Sequence, residues 1–153
     1  MYEVILALLM TIAIEEGVPP LFVKAIALTE NTTLNPNAIS PVNRDGTRDH
    51  GVMQLNDAYF GHLDVYDPEA NIRAGVKHIK FILSLDTVDT YWVAALVYNA
   101  GTRWLLQGAP PPYTSLDYAD EVMRKFTEFH GDLWYVCPVI RWDSRRQRFM
   151  GRY

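Results

Sequence analysis

Cysteine is nearly missing from this chain: Cys137 stands alone, and a lone thiol excludes an intramolecular disulfide framework. Histidine is scarce and scattered, and His50, His62, His78 and His130 show none of the close pairing that metal motifs use, so neither a metal centre nor any other cofactor is expected. Long apolar runs are missing too. The best candidate, VILALLM followed by Thr11, Ile12, Ala13 and Ile14, is too short to span a bilayer, and no transmembrane segment is expected. It also lacks a basic region ahead of it, where Met1, Tyr2 and Glu3 stand, and a small-x-small cleavage site before Glu15 and Glu16, so it reads as a core helix rather than a signal peptide. Internal repeats, low-complexity segments and domain linkers are likewise not found.

What is present suits one compact core: 153 residues, 49% of them hydrophobic and 12% aromatic. The net charge of −4 is unevenly spread. Residues 137 to 153 carry five arginines against one aspartate, whereas the rest carries 9 Lys/Arg against 17 Asp/Glu. An acidic body repels phosphate, so no nucleic-acid partner is expected. The basic tail either touches an anionic polymer or membrane surface or is a solvated or self-docked extension.

Helices should dominate. Residues 3 to 16 form the first, stopped by Gly17, and Pro19 and Pro20 suit the first turn of a second that runs to Thr29 or Glu30. Residues 31 to 49 are too rich in Asn, Thr, Pro, Asp and Gly for a long helix, and Asp45-Gly46 is a turn signal able to close a small hairpin. Asp67-Pro68-Glu69 caps a helix ending near Leu85, with Ile72, Val76, Ile79 and Leu83 on one face. Asp89 or Thr90 starts an almost wholly apolar helix, TYWVAALVYNA, that Gly101 ends and that should be central. Trp104, Leu105 and Leu106 suggest a short turn, and Pro110, Pro111 and Pro112 an extended crossing. Residues 114 to 130 form the last clear helix, with Tyr118, Val122, Phe126 and Phe129 inward; Trp134 to Ile140 is strand-like around Pro138 and is not assigned.

The stretch AIALTENTTLNPNAISPVNRDGTRDHGVMQLN, residues 25 to 56, is the chemical centre of the chain. Glu30 closes an apolar run (Leu21, Phe22, Val23, Ala25, Ile26, Ala27, Leu28) where helix gives way to polar loop. Shelter against aliphatic side chains penalises an ionised carboxylate, which is how a fold keeps a general acid protonated near neutral pH.

Four segments in this order resemble the motifs of lytic transglycosylases and lysozyme-like muramidases: ALTENTTLNPNAIS, GVMQLN, VYNAG and TSLDYADEVM; the resemblance covers roughly residues 17 to 130. Asn31 stands where many members have Ser, Leu34 where Phe is common, and one extra residue separates Ser115 from Tyr118. The resemblance implies a mainly α, lysozyme-like domain over residues 1–130, with a small hairpin or irregular loop beside a glycan groove, and a basic extension of unknown role over 131–153. It makes Glu30 the acid that protonates the glycosidic oxygen between N-acetylmuramic acid and N-acetylglucosamine. It also implies substrate-binding roles for Ser40, Met53, Gln54, Tyr98, Asn99, Ala100 and Tyr118. DGTRDHGVMQLN (45 to 56) resembles the corresponding loop of animal-type lysozymes and of secretion-associated transglycosylases, which puts Asp49 on the second carboxylate of the site. Asp49 either takes part in the reaction or pins the hairpin through Arg44, Arg48 or backbone amides; Asp45 reads as a turn residue. Tyr59, Phe60, Trp92, Trp104 and Tyr113 are able to stack on sugar faces or to serve as core. The expected partner is peptidoglycan, in the periplasm or cell wall, with a secretion or phage assembly as a further one. Alternatives are a hydrolytic muramidase using Glu30 and Asp49, or a wall-binding component without turnover.

Overall fold

Gly17 ends the first helix because it adopts a left-handed conformation (φ 68°) that a side chain disfavours, and its N–H closes onto Ile14 O. In the computed structural model, which describes residues 1–108, 110–130, 140–143 and 148–151, this helix is α1 (Tyr2–Glu16). Pro19 and Pro20 then start α2 (Pro20–Glu30). After an irregular stretch come β1 (Asp49–His50), β2 (Leu55–Asn56), α3 (Asp57–Phe60), α4 (Pro68–Ser84), α5 (Tyr91–Ala100), α6 (Arg103–Gln107) and α7 (Tyr113–His130). A second hairpin, β3 (Ile140–Asp143) with β4 (Arg148–Gly151), pairs antiparallel in the register Ile140↔Gly151. The protein is therefore mainly helical, with a small antiparallel hairpin in its first half. Cys137 and most of the strand-like stretch from Trp134 lie outside the described residues; Ile140 opens β3.

Two compact units divide the chain, Met1–Lys77 and His78–Tyr153. In the first, α1 and α2 pack through Ile5, Leu9, Ile12, Phe22, Val23 and Ile26, all buried. Arg73 ties the start of α4 to the end of α1, donating to Glu15 at 3.0 Å and Glu16 at 3.4 Å as well as to Glu69 on its own helix. In the second, α5 lies on α7. Ala94, Ala95, Leu96 and Val97 are buried, as are Ser115, Ala119, Val122 and Phe126, which follow one face of α7. Tyr118 and Phe129, expected inward, are half-buried at the margins of that face. Trp92 spends its indole N–H on Asp120 at 2.7 Å, and the rings of Tyr91 and Phe126 meet edge to face with centroids 5.2 Å apart.

Caps explain where the helices begin. Asp67 Oδ2 accepts from Ala70 N at 3.0 Å ahead of α4, and Thr90 Oγ1 accepts from Val93 N at 3.1 Å ahead of α5. Asp45-Gly46 does turn the chain: Asn43 N donates to Thr47 O at 2.8 Å and Ser40 N to Asp49 O at 2.9 Å, leading to one bridge between Ile39 and His50. The paired strands themselves form one loop later, around residues 51–54. No helix among the described residues is long and apolar enough to cross a membrane.

Because the cap on α5 is one side-chain bond to an otherwise orphaned N–H, Thr90→Ala should lower unfolding free energy by about 1 kcal/mol. The check is a urea titration in which the midpoint falls and the slope is unchanged.

Candidate active site

Glu30 is the last residue of α2, half-buried, with Ala27 and Leu28 of its own helix buried behind it. The next residue, Asn31, leaves the helix in an extended conformation (φ −147°) and is buried. Its amide nitrogen donates to Asn35 O at 2.8 Å and to Gly51 O at 3.3 Å, and its amide oxygen accepts from Asn35 N at 3.2 Å and Thr33 Oγ1 at 3.0 Å. One side chain thus folds the loop after Glu30 and fastens it to the hairpin loop.

That hairpin loop has an unusual backbone. Gly51 has φ 76°, and Gln54, which is not glycine, has φ 47°, a left-handed conformation that stores about 1–3 kcal/mol when other contacts enforce it. Here the enforcement is visible: Gln54 Nε2 turns back to donate to Gly51 O at 2.9 Å. One of its amide hydrogens is therefore committed, which leaves the amide oxygen and the second amide hydrogen to meet a ligand. Met53 is fully buried and packs on Gly75 of α4, so it supports the loop from beneath.

Asp49 lies in β1, half-buried, opposite Asn56. Asn56 Nδ2 donates to Asp49 Oδ1 at 2.9 Å and Asn43 Nδ2 to Asp49 Oδ2 at 3.2 Å, while both amides also reach Thr47 Oγ1. The carboxylate is thus oriented by two amide side chains rather than by Arg44 or Arg48; Arg48 donates instead to Ser40 O. Ser40 Oγ accepts from Asp49 N at 2.8 Å and donates to Pro41 O at 2.9 Å, which ties it to the strand carrying Asp49. Asp45 accepts from Thr47 Oγ1 at 2.7 Å and Thr47 N at 3.1 Å, bonds that hold its carboxyl below the ordinary value and complete the turn. In this first unit, then, the fold joins Asn31 to the hairpin loop and Ser40 to Asp49.

The second unit carries the other expected residues. Tyr98 is half-buried on α5, Asn99 is exposed, and Ala100 is the last helical residue before Gly101. Tyr118 is half-buried on α7. The ring of His78 faces Tyr98 with centroids 5.6 Å apart, and Phe81 stacks on His78 at 6.4 Å. Burial pushes the His78 imidazole below the ordinary histidine value. Of the aromatic stacking candidates, Tyr59 and Tyr113 are exposed, Phe60 is half-buried and Trp92 is engaged with Asp120. Trp104 has a buried indole N–H without a partner among the described residues. No group of three or more His, Cys, Asp and Glu among the described residues is placed to hold a metal ion.

Two residues were missed in the sequence. Asn71 of α4 is 1% exposed and bonds to the hairpin loop and to Val65 O, and Asn31 was seen only as a departure from Ser. A polar residue interrupting the apolar stripe just before Ile72 was the available signal for Asn71.

The first unit thus carries two candidate carboxylates, half-buried Glu30 at the end of α2 and Asp49 oriented within the hairpin. The transglycosylase SLT domain matches residues 7–109, more than half the chain, and the protein belongs to that family. Membership brings a lysozyme-like fold and transglycosylase-type action on peptidoglycan. Among curated proteins, none matches the chain significantly.

The environment of His78 sets a pH dependence for the second unit. A histidine whose folded pKa is depressed binds its proton more readily in the unfolded chain, so its contribution is complete above the unfolded value of 6.5 and is lost as pH falls through it. His78→Gln should flatten stability on the acid side of that value, removing a slope of at most about 1.4 kcal/mol per pH unit. Urea midpoints for parent and variant at pH values on both sides check this.

Proposed function

We propose that the protein is a peptidoglycan lytic transglycosylase. It cleaves the β-1,4 bond between N-acetylmuramic acid and N-acetylglucosamine and leaves a 1,6-anhydromuramyl end. The observation that carries this reading is Glu30 at the exit of α2, within the span matched by the family and half-sheltered as a general acid needs. The catalytic domain is assigned to residues 1–130 and acts in the periplasm or cell wall, where its substrate is. Its partner is the peptidoglycan glycan strand, and the loop resemblance adds a secretion or phage assembly as a further candidate.

Chemically, Glu30 begins protonated and gives its proton to the glycosidic oxygen as the bond to muramyl C1 breaks. The departing N-acetylglucosamine takes both bonding electrons and leaves an oxocarbenium-like centre. Glu30, now ionised, accepts the proton of the muramyl C6 hydroxyl as O6 bonds to C1. The ring closes, no water is consumed, and Glu30 is protonated again for the next cycle.

Asp49 supplies fixed negative charge toward that centre. Its orientation by Asn43 and Asn56 suits electrostatic stabilisation, because the carboxylate need not reorganise as positive charge develops. Gln54 offers its amide oxygen to sugar N–H or O–H groups, and Ser40 and Met53 shape the loop beside it. Tyr98, Asn99, Ala100 and Tyr118 are assigned to glycan binding by the resemblance of their segments to the family motifs.

Glu30→Gln should abolish release of muropeptides from purified sacculi, a fall of at least about a hundredfold. A parental rate in this variant would remove Glu30 from the mechanism. Asp49→Asn should slow release by about tenfold or more if fixed charge contributes, and an unchanged rate would reduce Asp49 to a hairpin brace. Mass spectrometry of the products should find anhydromuramyl ends; reducing ends would make the enzyme a hydrolase, and intact sacculi a wall-binding protein.

A further inference from the structure

Asn71 occupies a position where an aliphatic side chain would serve the helix better. It lies in the second turn of α4, next to Ile72 and one turn before Gly75, and is 1% exposed. Asparagine is a poor helix former, and a buried amide is tolerated only when its hydrogen-bonding groups find partners. Here Nδ2 donates to His50 O at 2.9 Å and to Val65 O at 3.1 Å, and Oδ1 accepts from Met53 N at 2.8 Å. Every one of these partners lies outside α4, and two belong to the hairpin loop.

The loop is shaped to receive this side chain. A Cβ on Gly51 would stand 2.4 Å from Asn71 Nδ2 and 2.6 Å from Val65 O, so only glycine fits. One turn along α4, a Cβ on Gly75 would meet Met53 Cγ at 2.7 Å. Asn71 and Gly75 thus form a seat for residues 50–53. The groups with chemistry flank that seat: Asp49, which faces Asn56 across the hairpin, precedes it, and Gln54, held at φ 47°, follows it.

We infer that Asn71 is a positioning residue for glycan cleavage, holding the loop 50–54 so that Gln54 meets the substrate and Asp49 stays in register with Asn56. The inference rests on the reading of the protein as a peptidoglycan-cleaving enzyme. Asn71 acts only through the loop.

Asn71→Asp tests it, because the substitution keeps size and shape while making the hydrogen-bonding pattern depend on pH. An ionised aspartate still accepts from Met53 N but turns a negative oxygen toward the carbonyls of His50 and Val65. A protonated one restores one of the two donor bonds. Turnover of purified sacculi per folded molecule, with folding followed by circular dichroism, should be at least about tenfold below the parent at neutral pH and should recover toward it as pH falls. In the parent protein, hydrogen exchange should find the Met53 amide as protected as the amides inside α4, a readout that needs neither the variant nor activity. A folded Asn71→Asp protein with the parental rate and pH profile overturns the inference, as does a rapidly exchanging Met53 amide. A parent that leaves sacculi intact instead removes the glycan-cleaving reading, and with it this role; a protected Met53 amide alongside that result would identify the reading, rather than the seat, as what failed.

Discussion

The backbone of residues 50–53 is the point on which the first unit depends, because two buried asparagines hold it, one from about twenty positions before it and one from about twenty after. Asn31 reaches Gly51 O from the exit of α2, and Asn71 reaches His50 O and Met53 N from α4. A loop of this kind, with a left-handed glycine and a left-handed glutamine three residues apart, has little regular hydrogen bonding of its own. Water would satisfy its polar groups if it were exposed, but Gly51, Val52 and Met53 are buried. Amide side chains are suited to the task, since one end donates and the other accepts without introducing a charge that burial would penalise. Breaking the Asn71 contact leaves the buried Met53 N–H without its partner, worth about 1–3 kcal/mol, whereas Gly51 O keeps the bond from Gln54 Nε2 if Asn31 is lost.

That arrangement also separates two kinds of candidate site residue. Glu30 and Asp49 offer carboxylates at the edges of the core, half-buried, whereas Met53, Asn31 and Asn71 are buried and set the geometry from behind. Asp49 belongs partly to both groups. Its oxygens brace the hairpin through Asn43 and Asn56, and the same bonds give it a fixed direction. Pinning a hairpin and stabilising charge are therefore compatible uses of one side chain. Within the second unit, Tyr98 has a comparable support, since the half-buried imidazole of His78 lies against its ring.

Helix ends were the most legible feature of the sequence because their causes are local. Gly17, Pro20, Asp67, Thr90 and Gly101 each act within a few residues, and each marks the boundary it suggested. The mainly helical, lysozyme-like class and the peptidoglycan substrate followed from short motifs in order, and the family match over residues 7–109 supports them. What was hidden is non-local. The bond from Asn31 to Gly51 spans twenty positions, and nothing in the composition of either segment announces it. Asp45-Gly46 advertised a turn, but the paired strands lie beyond it because α4 holds the next loop. Gln54 looked like a free amide until its backbone conformation turned its nitrogen toward Gly51. Tyr118 shares the heptad-like spacing of the inner face of α7, yet the small residues Ser115 and Ala119 are what let that helix lie close to α5.

The vacant Cβ space at Gly51 carries a lesson for protein engineering. It is filled by an amide twenty positions further along the chain, and the space at Gly75 is filled by Met53. The hexapeptide GVMQLN is consequently not a transferable cassette: grafted onto another helical scaffold, it would lose the helix turn that accepts it. The smallest portable module is the hairpin together with the stretch of α4 from Asn71 to Gly75, and a designer who moved one without the other would be copying a key without its lock.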